Sequence, residues 1–206
     1  MNLHIGQWVL ASSNPEKLKE LEALTAKLPI KIIPQGKLGL ESPEETGKTF
    51  FENALLKARH AAKFSELPVI ADDSGLTVDA LAGKPGVHSA RYAGQPTNDE
   101  KNVQKLLAAL DGISEGHRNA QFRCVIVALR HKYDSDPLVC RGEWAGRITD
   151  KPYGSSGFGY DPVFFDPQLC ATAAELPLEI KKKKSNFIIK NNFNNKKIKK
   201  NVKKIL

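Results

Sequence analysis

Short apolar runs alternating with capped helical patterns constrain this chain more than any other feature. "WVLA" (8–11), "IKIIP" (30–34) and "PVIAD" (68–72) each read as a buried strand. Between the first two, Asn14 is placed to cap a helix, and Pro15 takes its first position, where a missing N–H costs nothing. Leu18, Leu21, Leu24 and Leu28 give that helix one apolar face. Before the third run, Thr49 and Glu52 fit a capping box, with Phe51, Ala54, Leu55, Ala58 and Ala62 as the core face of its helix. A further capping box, Thr97 with Glu100, opens a helix that buries Val103, Leu106, Leu107 and Leu110. Two longer strands, 120–131 and 137–149, flank "KYDSD", which suits an antiparallel hairpin. An early β–α–β pattern followed by a hairpin predicts an α/β fold, a mixed sheet flanked by helices.

The chain has 206 residues, enough for one domain of one or two lobes with a proper core. No run of 18 apolar residues spans a membrane, and the N-terminus lacks the basic and apolar regions of a signal peptide. Cys124, Cys140 and Cys170 form no CxxC pair and suit a reducing cytosol as ordinary small apolar residues. The net charge of +8 suggests nucleic acid, but its location argues otherwise. Residues 179–206 hold 11 of the 31 Lys and Arg and one of the 23 Asp and Glu, which leaves 1–178 at −2. Of those last 28 residues, 22 are Lys, Asn or Ile, and the isoleucines keep no helical period. Disorder, a weak basic helix or a frameshifted end all fit that composition.

Four stretches carry candidate chemistry. "SSNPEK" (12–17) lies at a strand-to-helix turn, where unpaired N–H groups make a phosphate site and Lys17 sits one turn in. Taken alone, the stretch is more simply a capped helix with a surface lysine. "SPEETGKTFFENALLKAR" places Glu44 and Glu45 before a capped helix that carries Lys57; an acid there also serves the helix dipole alone. "VIADDSGL" (69–76) runs from apolar residues straight into Asp72 and Asp73. That reads either as a strand-ending turn or as a metal or acid/base site at a strand's carboxyl end. Asp73 with Glu45 would supply the carboxylate pair by which Mg²⁺ is held beside substrate phosphates. "GSSGFGYDP" (154–162) permits close backbone approach, and an aromatic followed by an acid can stack on a base and accept from its edge.

Taken in order, these motifs resemble the inosine/xanthosine triphosphate pyrophosphatase family over roughly residues 8 to 180. "VIADDSGLTVDALAGKPGVHSARYAG" and "GFGYDPVFF" are the most specific parts. The resemblance implies an elongated mixed sheet in two lobes around a central nucleotide-binding cleft, a cytoplasmic homodimer, and Mg²⁺-dependent hydrolysis of ITP, dITP and XTP to monophosphate and pyrophosphate. Ser12, Ser13, Asn14, Pro15, Glu16 and Lys17 match the phosphate-contacting loop. Asp73 matches the general base and metal-site aspartate, Ser74 a substrate contact, and Glu45 the acid near the metal, with Glu44 its adjacent alternative. Lys57 matches a helix lysine near the phosphates. Phe158, Gly159, Tyr160 and Asp161 match the base-recognition segment, and Lys181 a substrate lysine.

The resemblance divides the chain into a pyrophosphatase domain, 1–179, and an atypical Lys/Asn/Ile-rich tail, 180–206. "TAAELPLE" fits the family ending as far as Glu179, and "IKKKKSNFIIK" then replaces the rest. Asn186 and Phe187 stand where a His-Arg pair contacts the base, and Cys170 and Ala171 where Gly-Lys is common. Losing those donors would weaken base discrimination by about 1 kcal/mol per hydrogen bond. The competing readings are an inactive or specificity-altered relative, and a protein that binds nucleic acid non-specifically through its lysine tail. Glu45, Asp72 and Asp73 argue against the latter, since carboxylates beside phosphate need a metal between them.

Overall fold

The computed structural model describes residues 6–12, 14–15, 17–19, 22, 30–177, 179–181 and 184. Its strands are β1 (Gln7–Leu10), β2 (Lys31–Pro34), β3 (Val69–Val78), β4 (Asn119–Leu129), β5 (Leu138–Ile148), β6 (Phe164–Asp166) and β7 (Ala171–Thr172). They form one open sheet in the order β2-β1-β3-β4-β5-β6-β7. β1 pairs in parallel with β2 and β3, with Trp8 opposite Ile32 and Val9 opposite Val69. β6 pairs antiparallel with β5 and β7. The sheet is therefore mixed, as the sequence pattern predicts, and strands separated by a helix supply its parallel part.

The described residues cluster into two compact units. One comprises those up to residue 73 together with 125–141, and the other 74–124 with those from 142 to 184. In the first, helix α1 (Phe50–Ser65) lays Ala54, Ala58, Ala61 and Ala62 against Val9, Ala11, Val69, Ala71, Val125, Val127 and Leu129. All four alanines are fully buried. Their small side chains let the helix backbone lie close to the sheet, where each methyl stays in dense contact. The expected capping box is formed: Thr49 Oγ1 accepts from Glu52 N–H, and Glu52 Oε2 accepts from Thr49 N–H, each at 3.1 Å. Trp8, Leu10 and Ile32 make a second cluster on which Leu18 packs. Leu21, Leu24 and Leu28 lie outside the described residues.

The core of the second unit joins Leu76 and Val78 of β3 to Val103, Leu106 and Leu110, and to Ile148, Tyr160, Val163 and Phe164. The first three of those, Val103, Leu106 and Leu110, come from helix α2 (Asp99–Ala109) and the residue that ends it. Phe164 lies with its ring centroid 4.3 Å from Phe122 and 5.2 Å from Trp144. The cap of α2 is Asn98, not Thr97: its side chain accepts from Lys101 N–H at 2.9 Å. Asn is the better cap, so the helix starts one residue later than the threonine suggests. Asn102, almost fully buried, donates to Ala90 O and accepts from Ala93 N–H, which pins the 3-10 stretch Gly86–Arg91 beside the helix.

A second expectation is also overturned. "DDSG" is no strand-ending turn, and Asp72 and Asp73 do not lie at a strand's end: β3 runs through them to Val78. Turn formers yield because Leu76 and Val78, both fully buried, hold the strand extended into the second core. β6 and β7 carry no comparable period in the sequence, being three and two residues long. At the other end, residues 179–181 and 184 are helical. The rest of the basic tail, with Asn186 and Phe187, lies outside the described residues.

Gly146 tests the packing of the second core. A Cβ there would lie 2.5 Å from Phe165 O and 2.6 Å from Phe164 Cζ. Phe164 is fully buried and has no room to yield. Gly146→Ala is expected to lower stability by about 2 kcal/mol in urea denaturation.

Candidate active site

Side chains alternate across a strand, so adjacent carboxylates on β3 must face opposite ways. Asp72 turns to Lys17, whose Nζ donates to its Oδ2. Asp73 turns to α1, where Lys57 Nζ donates to its Oδ1 at 3.0 Å and Asn53 Nδ2 to its Oδ2 at 3.3 Å. Lys57 also donates to Glu45 Oε1 at 2.8 Å, so one ammonium holds two carboxylates. Asp73, Lys57 and Asn53 are buried and Glu45 is half-buried, whereas Glu44 is exposed. Five of the acidic and basic residues singled out from sequence thus meet in two ion-pair groups within the first unit.

Desolvation by burial pushes the Asp73 carboxyl above its ordinary range; Lys57 pulls it back, and the Glu45 carboxylate adds to the rise. A folded protein in that condition binds a proton more tightly than its unfolded chain. Between the ordinary and the raised pKa, the contribution of Asp73 to stability therefore falls as pH rises. That balance suits a carboxylate that must accept a proton.

Asn53 was not legible as a site residue, although a signal existed. Asn53, Ala54, Lys57, Ala58 and Ala61 follow one helical stripe, and polar residues on an otherwise apolar stripe call for partners. Asn53 finds two, since its Oδ1 also accepts from Gly47 N–H at 2.8 Å. A Cβ at Gly47 would lie 2.5 Å from that oxygen, so only glycine brings the loop carrying Glu45 this close.

At the first strand-to-helix turn, Ser12 Oγ accepts from Asn14 N–H at 3.2 Å and Asn14 Oδ1 from Lys17 N–H at 3.5 Å. The cap is present but long. Pro15 is exposed in the first turn, and Ser13 and Glu16 lie outside the described residues. Ser74, half-buried, follows Asp73 on the strand.

The second unit holds the remaining candidates. Phe158 is 58% exposed. Gly159 N–H donates to Asp99 Oδ2 at 2.7 Å, a tie that nothing in the sequence announced. Tyr160 is instead a core residue: its ring is buried, and its hydroxyl donates to Ser89 O at 2.9 Å. Burial pushes its phenol pKa up, so it stays neutral. Asp161 accepts from Lys181 Nζ at 2.9 Å.

Among the described residues no group of three or more His, Cys, Asp or Glu side chains is arranged to hold a metal. The donor set nevertheless fits Mg²⁺, which takes one or two carboxylates together with substrate phosphates rather than an all-protein cage. Glu45 and Asp73, which both accept from Lys57 Nζ, would be the two to hold it.

Removing that cation leaves two carboxylates facing each other, one of them buried. Lys57→Met is expected to destabilise the fold by about 3 kcal/mol at neutral pH, measured by chemical denaturation. Asp73→Asn should have the opposite sign, a stability equal to or above the parent at neutral pH, because the amide relieves a desolvated charge.

Comparison with known proteins agrees over most of the chain. The model of the Ham1 family matches residues 8–186. A dITP/XTP pyrophosphatase of Yersinia pseudotuberculosis is 56% identical over 173 residues, 84% of this chain and 88% of that one. The dITP/XTP pyrophosphatase of Escherichia coli K12 is 54% identical over the same shares. A HAM1 protein structure from Coxiella burnetii superposes with a TM-score of 0.84 at 48% identity, covering 87% of this chain and 91% of that one. On a family match that spans most of its length, this chain belongs to the Ham1 family.

Proposed function

We propose that this chain is a hydrolase that cleaves the non-standard purine nucleoside triphosphates ITP, dITP and XTP to the monophosphate and pyrophosphate, clearing them from the nucleotide pool. The observation that carries the reading is the buried Glu45–Lys57–Asp73 cluster, on a chain more than half identical to dITP/XTP pyrophosphatases.

Asp73 is the general base, with the carboxyl whose raised pKa fits it to take a proton from water. Water forms a bond to the α-phosphorus, the bond from that phosphorus to the bridging oxygen breaks, and pyrophosphate leaves intact. Asn53 fixes the second oxygen of Asp73, and Lys57 lies close enough to either carboxylate to turn to phosphate when a triphosphate arrives. Glu45 and Asp73 would hold Mg²⁺, which would supply charge neutralisation of the phosphate oxygens. Ser12 to Lys17, with Asn14 capping the helix, binds phosphate. Ser74 contacts substrate, Phe158 stacks on the base, Gly159 and Asp161 read its edge, and Tyr160 holds that segment from the core.

The chain works as a homodimer in the cytoplasm, with residues 1–179 as the catalytic body and 180–206 as an appendage. Its three cysteines, Cys124, Cys140 and Cys170, form no disulfide with one another and suit a reducing compartment, and no described helix is long and apolar enough to cross a membrane.

Pyrophosphate release from ITP, XTP, GTP and ATP tests the proposal, in Mg²⁺ and again in excess EDTA. Release favouring ITP and XTP and lost in EDTA is expected; equal release from GTP and ATP would point to a different substrate class. Asp73→Asn should lower kcat by about 10³-fold or more while leaving the folded circular dichroism spectrum unchanged.

A further inference from the structure

Lys181 and Lys184, each helical and three residues apart in sequence, have the spacing that shares one helix face. Both are committed to the second unit. Lys181 Nζ lies 2.9 Å from Asp161 Oδ2, and Lys184 Nζ lies 2.9 Å from Asp166 Oδ2. Asp166 is almost fully buried and heavily anchored. Its Oδ2 also accepts from Trp144 Nε1 at 2.8 Å, and its Oδ1 from Gln168 N–H at 2.8 Å and Leu169 N–H at 3.3 Å. Lys184 also reaches Gln168 Oε1 at 3.3 Å. A charged group fixed this firmly at the sheet makes a rigid point of attachment.

The glycine-rich loop rests on the other pair. Gly157 sits at φ +95, and a Cβ there would lie 2.0 Å from Asp161 Oδ2 and 2.6 Å from Lys181 Nζ. The backbone of the loop thus lies directly on the Lys181–Asp161 pair, one residue before the exposed Phe158. Both lysines belong to the run after Glu179 where the sequence leaves the ending it otherwise resembles, and of the two only Lys181 matches a substrate lysine there.

We propose that the Lys184–Asp166 ion pair clamps the helical residues 179–181 and 184 to β6 and thereby seats Lys181 on Asp161, which makes Lys184 a positioning residue for the base-reading loop. This rests on the reading of Phe158 to Asp161 as the segment that meets the base. Helix formation over a few residues is unfavourable by itself, so the described residues depend on their ion pairs for a fixed place. Without the clamp Lys181 would lose its fixed position, and Gly157 the surface it lies on. The clamp acts on substrate binding, since neither Lys184 nor Asp166 takes part in the carboxylate chemistry of the first unit.

Two readouts on the full chain decide the matter, one of them independent of turnover. Hydrogen exchange followed by mass spectrometry on peptides spanning 157–165 is compared for the parent, Lys184→Met, Lys184→Gln, Lys184→Arg and Lys181→Met. Exchange about tenfold faster at 157–161 is expected in Lys184→Met, Lys184→Gln and Lys181→Met, with Lys184→Arg close to the parent. In turnover, Lys184→Met should raise KM for ITP about three- to tenfold with kcat within about twofold, and arginine should restore it. Unchanged exchange in both neutral variants overturns the clamp, as does a loss confined to kcat. A parent that hydrolyses no ITP overturns the proposed function instead, and the exchange data still decide the clamp.

Discussion

The buried ammonium of Lys57 is the interaction on which the site depends. It lies between Glu45 and Asp73 and offsets charge that burial would otherwise make very costly. Its position is fixed by packing, because Lys57 follows Ala54 and precedes Ala58 on the stripe that α1 presses against the sheet. Methyl-sized neighbours bring the helix near enough for a long side chain to reach a strand carboxylate. Asn53, one turn earlier, ties the same carboxylate to the Gly47 loop. Core and site are here one structure: the contacts that exclude water from the alanines also desolvate Asp73.

That desolvation has a chemical consequence. A carboxylate fully solvated on the surface would be a weak base, while one buried without a cation would simply stay protonated. Asp73 is held between those limits by burial on one side and Lys57 on the other. The stability the fold gives up by burying this charge is the usual cost of a reactive group. In the second unit the logic differs. Phe158 is left exposed while its neighbours are tied down through Asp99, Ser89 and Lys181. An exposed ring on a fixed loop loses little further freedom when it stacks on a flat ligand.

Much of this was legible from the chain. The mixed sheet followed from the order of strand and helix patterns, and the Thr49–Glu52 capping box from its spacing. Glu45, Lys57 and Asp73 were named before their meeting could be seen. Other features were read wrongly or missed. Thr97 looked like a cap that Asn98 turned out to be. That the ring of Tyr160 lies in the core was likewise not legible, since its motif shows only an aromatic in a glycine-rich stretch. Asn53 and Asp99 carried no motif, because their partners, Asp73 and Gly159, lie 20 and 60 residues away.

By itself the sequence determined periodicity, local caps and the supply of charged groups, all of which depend on neighbours within a turn or two. Only the tertiary structure decided that "ADDSGL" stays extended. Local turn preference is weak beside the burial of Leu76 and Val78 in a core that the stretch itself does not contain. Once the strand continues, the two-residue alternation sends Asp72 to Lys17 and Asp73 to Lys57. Two adjacent, identical letters thereby acquire different surroundings. That difference arises from which elements pack on each face of a sheet, a property of the folded chain as a whole.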